Sequence, residues 1–174
     1  VRLLLADGRV NPADQNNGAI RLASNYGHHK IVKLLLGDKR VNPAYPNNDA
    51  IRWASKNGRL EVVRLLLGDK RVNPADQNNE AIIWASQKGH LEVVKLLLAD
   101  ARVNPADQNN EAIFLASKNG HLEVVRLLLA DARVNPADQN NAAIYCATKN
   151  NHHEVVKLLL EDERVSSTYT PKQK

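Results

Sequence analysis

In "HLEVVKLLLAD", at 90–100, Leu91, Val94, Leu97 and Leu98 fall three and four residues apart with charged residues between them. At about 100° per residue, that spacing lays the apolar side chains along one face and predicts an amphipathic helix. Just upstream, "EAIIWASQK" predicts a shorter helix. Asn79 suits its N-cap, because the side chain can accept from the first turn's N–H groups, and Gly89 suits a left-handed stop. Before both stands "VNPADQNN", whose Pro, Asp and Asn residues predict a turning connector.

This order of connector, helix, stop and helix returns along the chain. Val10, Val41, Val72, Val103, Val134 and Val165 are each 31 residues apart, so full units occupy 10–40, 41–71, 72–102, 103–133 and 134–164. "VRLLLADGR" at 1–9 aligns with 94–102 and reads as the tail of a further unit, so a missing upstream segment is expected. The pattern stops after Val165. One domain over 1–165 is therefore expected, with 166–174 as a C-terminal tail or a frayed cap.

A fixed period of about 20–50 residues marks a solenoid or a propeller, and helical units decide for an all-α solenoid. A single hairpin cannot bury both of its faces, so neighbouring units must stack. Identical connectors then recur because each meets its neighbour's copy. Asn78, Asn79 and their equivalents are expected to form hydrogen-bonded ladders between units.

"GHLEVVKLLL" at 89–98, nearly repeated at 120–129, resembles the second helix of the ankyrin repeat, and the "RVN" that follows resembles the start of its loop. The resemblance covers the chain to about Val165. It departs in period, which is about 33 residues in ankyrin repeats. It also departs at the first helix, where "EAII", "EAIF" or "DAIR" replaces the usual Thr-Pro-Leu-His, and after the second helix, where "ADAR" or "GDKR" replaces the usual Gly. The resemblance implies an ankyrin-type solenoid whose first helices and loop tips line a concave surface that grips protein partners.

Differences among the units then locate a candidate site. One variable position on the first helix reads Arg21, Arg52, Ile83, Phe114, Tyr145, basic at one end and apolar or aromatic at the other. Arg and aromatic residues are enriched at interface hot spots, and adjacent apolar residues make a patch. Lys56 and Lys118 lie one turn on. The next position reads Leu22, Trp53, Trp84, Leu115, Cys146; always apolar, it is expected to be buried between first helices, with the Trp rings edging into the groove. In the odd connector "VNPAYPNN", Tyr45 and Pro46 replace Asp and Gln, and Tyr45 is a candidate anchor beside Arg52. The expected partner-contacting residues are thus Arg21, Tyr45, Arg52, Lys56, Ile83, Trp84, Phe114, Lys118 and Tyr145, with Arg21 steering an acidic region of the partner.

The net charge of +5 permits a nucleic-acid or acidic-membrane partner. The basic residues, however, recur beside acidic ones: Glu61 with Arg64, Glu92 with Lys95, Glu123 with Arg126, Glu154 with Lys157. Such pairs contribute roughly 0.2–0.5 kcal/mol each on a solvated helix face.

Catalytic chemistry is not signalled. His90, His121 and His152 recur one unit apart, too far for a shared ion, and are expected to hydrogen-bond at the start of each second helix. Glu80 and Glu111 are stacked copies rather than a converging acid and base. The single Cys146 cannot form an internal disulfide, and no apolar run exceeds the six residues 142–147. His29 and His153 stand where the middle units have Leu, as suits the ends of a stack.

The expectation is therefore a non-enzymatic, monomeric, intracellular and cytoplasmic scaffold that binds a protein, without metal or cofactor. The alternatives are a structural spacer or consensus-like array without a dedicated partner, and a binder of an anionic ligand or nucleic acid at the basic end.

Overall fold

The structure, a computed structural model, describes residues 1–170. The end of the expected tail, 171–174, lies outside the described residues. First helices α2 (Asp14–Tyr26), α4 (Asp49–Lys56), α6 (Asp76–Gln87), α8 (Asp107–Lys118) and α10 (Asp138–Lys149) each pair with a second helix. These are α3 (His29–Leu36), α5 (Leu60–Leu67), α7 (Leu91–Leu98), α9 (Leu122–Leu129) and α11 (His153–Leu160). The short helices α1 (Arg2–Ala6) and α12 (Glu163–Ser166) flank the array, and the described residues include no strand. First helices pack on first helices and second on second in chain order, which is a solenoid. No helix among the described residues is long and apolar enough to cross a membrane.

Stacking turns each repeated apolar position into a column. Ile20, Ile51, Ile82, Ile113 and Ile144 are fully buried from the first helices, and Leu66, Leu97, Leu128 and Leu159 from the second. Val93 joins Val94 and Leu97 in the core, while Leu91 and Leu98 are half-buried, so the core face is rotated slightly from the predicted one.

The recurring connector is explained residue by residue. Val72 and Pro74 are buried. The Asn73 side chain accepts from the Ala75 N–H at 3.1 Å, closing a local turn. Gln77, Asn78 and Asn79 then take three successive left-handed conformations (φ 51°, 55°, 61°), and the Asn79 N–H closes the tip on the Ala75 carbonyl at 3.0 Å. Left-handed backbone costs about 1–2 kcal/mol per ordinary residue and is least unfavourable for Asn, which is why the tip is Asn-rich.

Asn79 does not cap its own helix with its side chain, as the sequence suggested. Its Oδ1 accepts from the Asn104 N–H at 2.8 Å and its Nδ2 donates to Asp107 at 2.9 Å, both in the next unit. Asn48 and Asn110 do the same. The ladder is real, but the second Asn of each pair carries it. The first contributes only its carbonyl, which accepts from the next unit's Gln amide at Asn78 and Asn109. In the last unit Asn141 Nδ2 donates to Thr168 Oγ1, so the polar tail begins as a cap: Val165 is buried and Tyr169 packs on the core.

The odd connector breaks this scheme at one junction. Tyr45 stands where other units place the Asp that meets the preceding Asn, so among the described residues the Asn17 side chain keeps only its bond from the Asn42 N–H. Pro46 fixes its own φ near −65°, and the left-handed tip shrinks to Asn47 and Asn48.

Gly89 stops α6 with φ +73°, as predicted. The need is double, because a Cβ there would stand 2.5 Å from Nδ1 of His121. That imidazole lies across the glycine and meets the Gln87 carbonyl through Nε2 at 2.9 Å. His90 and His152 repeat the contact on Lys56 and Lys118, so these histidines stitch units together as expected.

A second ladder runs along the ends of the second helices. The Arg102 guanidinium grips Asp100 with Nε at 2.9 Å and Nη2 at 2.6 Å, while Nη1 donates to the Val72 carbonyl at the start of the same unit. Arg40, Arg71, Arg133 and Arg164 are built alike. Arg40 beside Asp38 holds that carboxyl down at about 2, and hydrogen bonds from the paired Arg lower Asp69, Asp100, Asp131 and Asp162 in the same direction.

Candidate interaction surface

The stripe predicted on the first helices divides into two chemically different halves. In the first, Arg21 reaches forward to Asp49 of the next unit at 3.0 Å, with its guanidinium 4.7 Å from the centre of the Trp53 ring. Arg52 binds Asp49 of its own helix at 2.8 Å and Glu80 of the next unit through Nε and Nη2. Its guanidinium also lies over Trp84 at 5.1 Å, and the Lys56 ammonium approaches the same ring at 4.8 Å. Two guanidiniums and two carboxylates alternate across three units, with indole faces beneath. The Arg52 side chain is only 12% exposed and that of Arg21 only 21%. At that depth charge pairing and cation–π contact are worth more than at an open surface.

Arg21 was expected to steer a partner's acidic region. Its charge is instead engaged by Asp49, and that of Arg52 by Asp49 and Glu80. The expected burial of the neighbouring always-apolar position needs correction too. Trp53 and Trp84 are half-buried because their faces receive cations, and Leu22 is 53% exposed.

In the second half the cations drop out of the stripe. Ile83, expected as a surface contact, is buried at 5% exposure and belongs to the core. Phe114 is half-buried with the Lys118 ammonium 5.9 Å from its ring centre, and Tyr145 is 45% exposed. Exposure thus rises along the apolar end from Ile83 to Tyr145. Tyr45 lies apart on its loop tip, half exposed.

Sequence reasoning placed the stripe but missed the carboxylates that complete it. Their signal was present, since Arg21 and Asp49 are 28 residues apart, as are Arg52 and Glu80. That is one repeat less one helical turn, the offset of a diagonal neighbour in the next unit. Among the described residues, no group of three or more His, Cys, Asp or Glu side chains is placed to hold a metal ion. Cys146 is half-buried.

A family model described as ankyrin repeats (3 copies) matches residues 20–109 and 82–169. No curated protein matches the chain.

Proposed function

The chain belongs to the ankyrin-repeat family, and from that premise we propose that it is a scaffold binding one partner protein on its first-helix face, centred on units three to five. Ankyrin repeats are generally protein–protein interaction modules and generally not enzymes. The observation that carries the reading is where the ion-pair chain stops. Up to Glu80 the face is matched to itself; beyond it, Phe114, Lys118 and Tyr145 present aromatic area and a charge on a rigid stack. A preformed surface of that kind limits the ordering cost of association. Trp84 and Lys56 form its near rim, Ile83 supports it from beneath, and Arg21, Arg52 and Tyr45 lie outside its centre.

An anionic-ligand or nucleic-acid reading leans on Arg21 and Arg52, whose guanidiniums already have carboxylate partners. A spacer without a partner draws support from the same pairs, because they serve stacking. Paired pull-downs from cell extract separate it from the scaffold: one bait is this chain, the other carries Phe114→Asp and Tyr145→Ser with a matched melting curve. Proteins retained by the first and lost by the second are the expected result. Identical catches at two salt concentrations would remove the scaffold reading in favour of the spacer.

A further inference from the structure

The ion-pair chain follows a rule of position. A guanidinium on one first helix reaches a carboxylate 28 residues on, at the start of the next unit's right-handed first helix: Arg21 to Asp49, Arg52 to Glu80. Glu111 is the next carboxylate in that column, one 31-residue period after Glu80. The residue 28 before it, however, is Ile83. Among the described residues, the Glu111 carboxylate has neither ion pair nor hydrogen bond. It is half-buried, and Phe114 follows one turn later on the same helix.

We infer that Glu111 receives an arginine side chain of the partner, which occupies the place that Arg21 and Arg52 fill from within the chain. This rests on the reading of the first-helix face as the binding surface and names what the partner must bring. A carboxylate partly withdrawn from water favours a cation brought against it. The filled copies specify guanidinium rather than ammonium. Arg52 presents two nitrogens to one Glu80 oxygen while its guanidinium stands over an indole, a combination that suits the several donors of Arg. In this third copy the place of the indole is held by Leu115, and Phe114 stands beside it on the same helix. A nucleic acid would meet an unneutralised carboxylate here and be repelled.

Selection of 12-residue peptides from a random display library against the intact chain tests this. Enriched peptides are expected to carry an Arg and to bind Glu111→Gln about tenfold more weakly, the loss typical of removing one charge-assisted pair. Ile83→Arg supplies a guanidinium from within, at the register of Arg52, and is expected to abolish binding, at the cost of some apolar burial in the core. The near-isosteric Glu111→Gln keeps the test decisive if Ile83→Arg does not fold. Peptides lost on Phe114→Asp that lack Arg and bind Glu111→Gln unchanged overturn the arginine inference and leave the face reading standing. Failure to enrich any peptide sensitive to Phe114→Asp or to Glu111→Gln overturns both.

Discussion

The two halves of the first-helix face share a backbone plan, yet one is closed on itself and the other is open. In units one to three, Arg21, Asp49, Arg52 and Glu80 alternate in charge over Trp53 and Trp84. In units three to five the same positions hold Ile83, Glu111, Phe114, Ala142 and Tyr145. Because stacking residues elsewhere are nearly constant, the contrast isolates what the variable positions do. A position reached by the next unit's helix can staple the stack or present chemistry outward, and here the chain assigns one task to each half.

The largest effect that would break this contrast comes from Arg52→Ala. It strands the half-buried Glu80 carboxylate, leaves Asp49 to Arg21 alone and leaves the Trp84 ring to Lys56, so a loss of about 2 kcal/mol is expected. Phe114→Ala, in the open half, should cost about 1 kcal/mol, mostly apolar burial. Equal losses in urea unfolding would mean that the halves do not differ in role. A smaller effect extends the closed half by one step. Phe114→Arg with Ala142→Glu recreates the 28-residue diagonal between units four and five, and a double-mutant cycle should show a coupling of about 1 kcal/mol. No coupling would mean that the register, and with it the positional rule, is not transferable.

Much of this architecture was legible in the sequence because it repeats. The period, the helical hairpins, the glycine stop and the stitching histidines each recur in several copies, so any one of them is read several times over. What escaped depended on which unit a side chain reaches. Asn79 has the form of an N-cap, but its left-handed backbone turns the amide toward Asn104 and Asp107 instead. Ile83 shares a column with two arginines, which argued for exposure. A short branched side chain at that place sinks into the core, whereas an arginine extends to the next unit. The ion pairs were missed because helix-face arithmetic counts three and four residues, not 28. Arg21, Arg52 and Phe114 share one column in the sequence, while the direction in which each points belongs to the stack.

The smallest expected effect separates the halves from what they share. The Arg–Asp clamps at Asp38, Asp69, Asp100, Asp131 and Asp162 run behind both, and in each a guanidinium holds the carboxyl below its ordinary value. A lowered folded pKa stabilises the fold in full above the ordinary value of 3.8. For Asp38 that contribution is lost as pH falls through about 2. Each clamp lies at the surface with its arginine open to water, so each contributes little and added salt weakens it. Since they occur once per unit, acid should loosen the array evenly rather than from one half. Trp53 and Trp84 report on units two and three alone, and far-ultraviolet circular dichroism reports on all helices. Between pH 4 and 2 the two signals should change together. Were tryptophan fluorescence to hold while helicity falls, the closed half would outlast the open one, and its ion-pair chain rather than the shared clamps would set acid resistance.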